Sequence, residues 1–84
     1  MRTIHFTKHA LEKLSLMQQF GFAVDENTVV QAIRRPQPVV PGYSNRLVAQ
    51  TMLDEKHVLR VVYEEDEEIT VITVYPGRRE RYEA

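Results

Sequence analysis

Two apolar stretches in the C-terminal half of the chain predict neighbouring β-strands. Residues 69–75 are uncharged and nearly all β-branched or aromatic, which is typical of an interior strand. Residues 58–63 have the same character except at Arg60. Because successive side chains of a strand point to opposite faces of a sheet, Arg60 points away from the face that Leu59 and Val61 occupy. If that face is the core, Arg60 lies on the open side of the sheet.

The N-terminal half has the three- and four-residue apolar spacing of amphipathic helices. Thr7 is a suitable N-cap for a first helix, and Gly21 suits the left-handed position just after its end. Asp25 is a suitable N-cap for a second helix, which Pro36 ends. The apolar positions are Ala10, Leu11, Leu14, Met17 and Phe20 in the first helix and Val29, Val30, Ala32 and Ile33 in the second.

The remaining segments complete an α+β arrangement. Residues 2–6 predict a short first strand, and residues 46–53 alternate in the manner of a strand. The proline-rich connector 36–42 is unsuited to a helix or to an interior strand. The predicted fold is a single domain spanning 1–84, with two N-terminal helices on one face of a three- to four-stranded antiparallel sheet, in the order (β)ααβββ.

The composition limits the classes of function. With 43% hydrophobic and 27% charged residues, the chain has the balance of a globular domain with one core. No apolar run of about 18 residues is present, so we expect no membrane-spanning segment. The absence of cysteine excludes disulfides and favours a cytoplasmic location. The three histidines lack metal-ligand spacing, so no metal and no cofactor is expected.

Charge is unevenly distributed, although the net charge is only −1. Residues 64–68 are all acidic, whereas Arg78, Arg79 and Arg81 follow the last predicted strand. Outside the acidic run the basic residues outnumber the acidic ones, so the composition is compatible with a basic surface patch. The acidic run itself is typical of a solvated hairpin tip that discourages pairing between strand edges.

Three short segments resemble a family of small bacterial and archaeal domains of unknown function, and they occur in the family's order over most of the chain. They are Phe6-Thr7-Lys8-His9-Ala10, Arg60-Val61-Val62-Tyr63 and Ile72-Thr73-Val74-Tyr75. Domains of that family are similar in turn to the RelE/ParE and BrnT toxins, whose superfamily has a ribonuclease-like fold. The resemblance implies a toxin that cleaves RNA without a metal and has an antitoxin protein as its partner.

Four side chains are candidates for that chemistry. Cleavage by 2′-hydroxyl attack needs a base, cations that neutralise the phosphorane, and an acid for the leaving 5′-oxygen. His9 is the candidate base, because an imidazole accepts and returns protons near neutral pH. Arg60 and Arg78 are candidate phosphate ligands, and Tyr75 is the candidate acid. We expect these four residues to converge on one patch, with the helices covering the opposite face of the sheet.

Three further residues are candidates for RNA binding. Lys8 lies beside His9 at a predicted helix N-terminus, where exposed N–H groups attract phosphate. Arg79 lies in the basic tail, and Tyr82 can stack on a base.

Each candidate also has a purely structural interpretation. His9 borders the apolar face of the first helix and can be a half-buried or capping residue. Arg60 can pair with an acidic side chain of a neighbouring strand. The arginine-rich tail can be a solvated terminus, and Tyr63 and Tyr75 can be packing residues.

Two other functions are open to the same predicted fold. A non-catalytic protein-binding module would use an apolar patch on the open face, and a homodimer through that face would favour it. A ParE-like inhibitor of DNA gyrase would have the same architecture, because a fold does not determine a function. In the toxin interpretation, the acidic run is a candidate contact for a basic antitoxin segment. The apolar patch of the protein-binding alternative consists of Val48, Met52, Val58 and Val62.

Overall fold

The computed structural model of the protein describes residues 2–35, 40–41 and 45–82. Within these ranges the elements are β1 (Ile4–Phe6), α1 (Lys8–Gln19), α2 (Glu26–Arg34), β2 (Val40–Pro41), β3 (Leu47–Met52), β4 (His57–Glu65), β5 (Ile69–Arg78) and α3 (Arg79–Tyr82). The strands form one sheet in the order β1-β5-β4-β3-β2. No helix in the described ranges is long and apolar enough to cross a membrane.

The predicted helix boundaries of α1 and α2 are confirmed by their caps. Thr7 is the N-cap of α1, and its Oγ1 accepts a hydrogen bond from the Ala10 N–H at 3.0 Å. Gly21 follows α1 with a φ of 92°, a conformation that costs glycine little. Asp25 caps α2 and accepts a hydrogen bond from the Thr28 N–H at 2.9 Å. Polar side chains thus satisfy amide groups at both helix starts, as the sequence predicts.

The predicted connector 36–42 lies largely outside the described residues. α2 ends at Arg34, and Arg35 is extended with φ −86° and ψ 142°, the conformation favoured before a proline. The described part of the connector is β2, which pairs with β3 at one edge of the sheet. An edge position suits Pro41, because proline cannot donate a ladder hydrogen bond.

The sheet is mixed, which corrects the prediction of an antiparallel one. β3, β4 and β5 form the expected antiparallel meander, but β1 pairs with β5 in the parallel direction. No hairpin turn sets the direction of β1, because both helices and three strands lie between β1 and β5 in the chain. With β1 on one side and β4 on the other, β5 is an interior strand, as its composition predicts.

Both long helices cover the same face of the sheet. α1 packs mainly on β5, and α2 packs on β3 and β4. Leu59 and Val61 of β4 are fully buried on this face, so Arg60 between them points to the other face, as predicted. We call that other face the open face. The buried residues of this core are Ala10, Leu14, Met17, Val24, Val29, Ala32, Ala49, Leu59, Val61, Tyr63, Ile69, Val71 and Val74.

A β-bulge in β5 changes which side chains reach the open face. Val62 pairs with Thr73 and Tyr63 with Val71, so Ile72 has no partner on β4. Val71 and Val74 are both fully buried in the core although they are three positions apart in the chain, which unbroken alternation would not allow. The bulge therefore moves Thr73 and the residues after it by one position, and Tyr75 lies on the open face.

Candidate functional site

Arg60 lies at the centre of the open face, in a row of three side chains that cross three strands. In the sheet register it pairs with Gln50 of β3 on one side and with Tyr75 of β5 on the other. Its Nη1–H donates a hydrogen bond to Gln50 Oε1 at 2.7 Å. Its Nε–H makes a longer contact, of 3.5 Å, with the Tyr75 hydroxyl. The guanidinium is therefore contacted by a neutral side chain on each side.

The C-terminal turn adds an aromatic side chain to this row. The Arg79 N–H donates to the Lys56 carbonyl at 2.8 Å, where β5 gives way to α3. α3 then packs against β4 and β5 and brings Tyr82 over Arg60. The Arg60 guanidinium carbon lies 4.3 Å from the centre of the Tyr82 ring, which is a cation–π contact. We call Gln50, Arg60, Tyr75 and Tyr82 the Arg60 cluster.

Gly77 makes room for the Tyr82 ring. A Cβ atom at Gly77 would lie 2.4 Å from Tyr82 Cε2 and 2.7 Å from Cδ2, closer than atoms approach without a shift. Glycine at this position therefore serves the close approach of a ring to the backbone, not an unusual backbone conformation. Val58, which pairs with Gly77, is fully buried although it lies on the open face, because α3 covers this end of the face.

The β3–β4 turn sets the register that places Gln50 opposite Arg60. Asp54 accepts hydrogen bonds from the Lys56 and His57 N–H groups at 2.8 Å each and contacts His57 Nδ1 at 2.9 Å. Donation from the Lys56 amide is the largest reason why the pKa of Asp54 lies below its usual value, and His57 lowers it further. The tight polar turn that the sequence predicts at 54–57 thus fixes the pairing of Gln50 with Arg60.

Arg60 has no carboxylate partner among the described residues. No Asp or Glu oxygen in those ranges lies within 4.0 Å of its guanidinium, and the side chain is only partly exposed. The structural interpretation that paired Arg60 with an acid on a neighbouring strand is therefore not what the described residues show. Removing a cation from water without a counter-ion is unfavourable, and the neutral partners offset only part of that cost.

The acidic run forms ion pairs at the end of the β4–β5 hairpin. Glu64 lies 3.4 Å from Arg46, and Glu65 pairs with Arg2. Glu68 Oε2 lies 2.6 Å from His5 Nε2 on β1. These contacts add ion pairing to the predicted hairpin tip, so its charge is partly neutralised at a distance from Arg60. In the described ranges no three His, Cys, Asp or Glu side chains come together as a metal-ligand group.

The structure does not bring His9 to the Arg60 cluster. His9 and Lys8 are exposed in the first turn of α1, which packs on the core face of the sheet. Arg60 points to the opposite face, so the sheet lies between the helix layer and the guanidinium. His9 is not half-buried, because its side chain is exposed, and it is not the capping residue, because Thr7 is the N-cap.

The other predicted residues fall into two groups. Tyr75 and Tyr82 join Arg60, whereas Arg78 is exposed one position beyond Gly77 and lies 3.8 Å from Glu80. Arg79 is exposed at the start of α3. The three arginines of the tail, Arg78, Arg79 and Arg81, are exposed, as a solvated terminus would have them, whereas Tyr82 of the same segment packs over Arg60.

Tyr63 is a packing residue in the core. It is buried on the face that the helices cover, and burial raises the pKa of its phenol. The interpretation of Tyr63 and Tyr75 as packing residues therefore holds for Tyr63, whereas Tyr75 contacts Arg60.

Two residues of the site are absent from the sequence-based candidates. Gln50 contacts Arg60 directly, and Gly77 seats Tyr82. The alternation of β3 already indicates that Gln50 faces away from the core, but only the register of the turn shows that it faces Arg60. The sequence gives no comparable sign for Gly77, because a strand that continues through Pro76 and Gly77 is unusual.

Comparisons with known proteins add no relative. No protein-family model, no curated protein and no solved structure matches this chain. The resemblance to the RelE/ParE and BrnT toxins therefore rests on the three short segments alone.

Proposed function

We propose that the protein binds single-stranded RNA on the open face, with the phosphate held by Arg60. One observation carries the proposal: Arg60 is a partly buried guanidinium without a carboxylate partner among the described residues. A guanidinium has five N–H donors, and Gln50 and Tyr75 use two of them. The remaining donors suit the two-pronged geometry of a phosphate, which would complete the neutralisation of the charge.

The neighbours of Arg60 favour nucleic acid over an isolated anion. The Tyr82 ring covers a face of the guanidinium, Tyr75 contacts Arg60 Nε through its hydroxyl, and Thr73 adds a hydroxyl on the same face of the sheet. Proteins that bind single strands combine cations along the backbone with aromatic rings on which bases stack. The acidic residues lie at the far end of the β4–β5 hairpin, where Arg46, Arg2 and His5 pair with them.

We infer further that bound RNA is cleaved, as the resemblance to toxins implies. In that reaction the 2′-oxygen attacks phosphorus and loses its proton, and the bond from phosphorus to the 5′-oxygen breaks. The products are a 2′,3′-cyclic phosphate and a 5′-hydroxyl that has gained a proton. Arg60 would stabilise the charge on the phosphorane, and the Tyr75 hydroxyl in contact with it would donate its proton to the leaving 5′-oxygen. Water would accept the proton of the 2′-hydroxyl and would reprotonate the Tyr75 phenolate. Because His9 lies with the helix layer, this scheme assigns it no role.

The direct test is a binding and cleavage assay with end-labelled single-stranded RNA in the presence of EDTA. Arg60→Met should abolish both activities, whereas Arg34→Met, which removes an exposed arginine from α2, should leave both unchanged. Tyr75→Phe should retain binding and lose cleavage. Unchanged binding by Arg60→Met would overturn the proposal.

Induced expression in bacteria tests whether the proposed RNA cleavage makes the protein a toxin. Growth arrest with RNA fragmentation, lost in Arg60→Met, is the expected result. Arrest with intact RNA and altered plasmid supercoiling would instead indicate a ParE-like action on gyrase.

A non-catalytic protein-binding function is the second candidate, and Met52 favours it. Its side chain is 47% exposed on the open face, and Val62 on the same face is only partly covered. An antitoxin or another partner protein would bury such apolar side chains. Met52→Lys should then abolish complex formation while Arg60→Met leaves it intact. The RNA-binding function predicts the reverse dependence for RNA.

A further inference from the structure

We infer that Gln50 is a second ligand-binding residue of the open face and that it also orients Arg60. This inference rests on the proposed RNA binding and extends it to a named residue and a named chemical requirement. The ligand must present hydrogen-bond acceptors at two adjacent points.

The orientation of the Gln50 amide follows from its partner. A guanidinium only donates hydrogen bonds, so the atom that Arg60 Nη1 contacts at 2.7 Å must be the carbonyl oxygen of Gln50. The amide nitrogen is then directed away from the guanidinium. In the described residues this nitrogen has no acceptor, so both of its N–H groups are available to a ligand.

The surface next to Arg60 consequently consists of donors. The unused N–H groups of Arg60 and the two N–H groups of Gln50 belong to neighbouring side chains that one hydrogen bond joins, so both side chains offer donors to a ligand at this point. Such a pair suits two oxygens of one phosphodiester, or a phosphate oxygen together with a carbonyl oxygen of the adjoining base. A glutamate in place of Gln50 would have nearly the same shape but would pair with Arg60 and remove the net positive charge.

Gln50 also restricts the guanidinium. Its hydrogen bond acts on one side of Arg60, the contact with Tyr75 acts on the other, and Tyr82 covers a face. A guanidinium that is held from three directions loses less conformational entropy when a phosphate binds than a freely rotating one does. We therefore assign Gln50 two actions, orientation of Arg60 through its oxygen and ligand binding through its nitrogen.

The test uses the full chain and a fluorescein-labelled oligouridylate, with affinity measured by anisotropy over a series of salt concentrations. Gln50→Glu should weaken binding as strongly as Arg60→Gln and should lower the slope of log K against log salt by about 1, as expected when one phosphate contact is lost. Gln50→Met should weaken binding about fivefold to tenfold, the loss typical of one hydrogen bond, with an unchanged salt slope because Arg60 keeps its charge. Circular dichroism and thermal unfolding verify that each variant is folded.

The outcomes separate this inference from the function on which it rests. If the wild type does not bind the oligouridylate, the proposed function fails and the inference fails with it. If the wild type binds, Arg60→Gln does not, and both Gln50 variants bind as the wild type does, the proposed function stands and the inference is overturned.

Discussion

The guanidinium carbon of Arg60 lies 4.3 Å from the centre of the Tyr82 ring, so the C-terminal turn closes over the middle of the sheet. Two features away from Arg60 make this arrangement possible. Gly77 leaves space for the ring, and the bulge at Ile72 brings Tyr75 to the same face. The Arg60 cluster is therefore a product of the backbone of β5 as much as of its own side chains.

Gly77→Ala should displace the Tyr82 ring, because the new Cβ would overlap it. We expect the free energy of unfolding to fall by about 0.5–1 kcal/mol, the value of an exposed cation–π contact. Urea unfolding measures that change, and the NMR shift of the Arg60 Nε–H reports the loss of the ring. In a Tyr82→Ala background the same substitution should have no further effect on that resonance. An unchanged Nε–H resonance in the single variant would contradict the position of the Tyr82 ring against Gly77 and Arg60.

Thr7 joins the start of α1 to the bulge of β5. Its Oγ1 accepts from the Ala10 N–H at 3.0 Å and donates to the Ile72 carbonyl at 2.9 Å. Thr7→Val keeps the shape but removes both hydrogen bonds, so the free energy of unfolding should fall by about 1–2 kcal/mol. Thr7→Ser retains the hydroxyl and should lose much less. A Thr7→Val variant as stable as the wild type in urea unfolding would contradict the stabilising role of the hydroxyl.

Much of the fold follows from local chemistry and could be predicted. The caps at Thr7 and Asp25 and the turn at Asp54 are each determined by a few adjacent residues. The uncharged stretch 69–75 of β5 indicates an interior strand, and the alternation around Arg60 places that side chain on the open face. These are short-range relationships, in which neighbouring residues carry the whole signal.

The features that the sequence does not predict depend on distant parts of the chain. β1 pairs with β5 in the parallel direction, and β5 is the strand farthest from β1 along the chain. The bulge at Ile72 depends on the register between β4 and β5 and lies where Thr7 donates a hydrogen bond to the Ile72 carbonyl. Without the bulge, alternation from Val71 would put Tyr75 in the core. The contact of Arg60 with Tyr82 depends in addition on the direction of a short terminal turn.

Stability should fall in acid as two hydrogen-bonded carboxylates, Asp25 at the start of α2 and Asp54 in the β3–β4 turn, are protonated. Hydrogen bonds from the Thr28 backbone and side chain lower the pKa of Asp25 below its ordinary 3.8, and the Lys56 amide lowers that of Asp54. Because the pKa is lower in the folded state, the unfolded state binds protons first. The resulting stability is present above the unfolded pKa and is lost as the pH falls through the folded value, below about pH 4.

Asp25→Asn isolates one of these contributions, because asparagine is also a good N-cap but does not titrate. Thermal unfolding over the range from neutral pH to below pH 4 should show a smaller acid-dependent loss for this variant than for the wild type. An identical pH dependence would contradict the assignment of Asp25 to the transition.

Arg60→Met should change function without a large change in stability. The guanidinium has no carboxylate partner among the described residues, so its removal breaks no ion pair there, and Gln50 and Tyr75 can bind water in its place. We expect the free energy of unfolding to fall by no more than about 1 kcal/mol, the value of the cation–π contact with Tyr82 that is lost. Arg34→Met on α2 serves as the matched control for loss of a positive charge. A loss of several kcal/mol in chemical unfolding would show that Arg60 is mainly structural.

The most direct test of the account is an NMR titration of the isotopically labelled protein with a single-stranded oligouridylate. The resonances that shift should belong to the open face, foremost the Arg60 side chain, the Gln50 amide group and the rings of Tyr75 and Tyr82. The amides around His9 on α1 should not move. Shifts confined to α1, or no shifts at any RNA concentration, would contradict RNA binding at the Arg60 cluster.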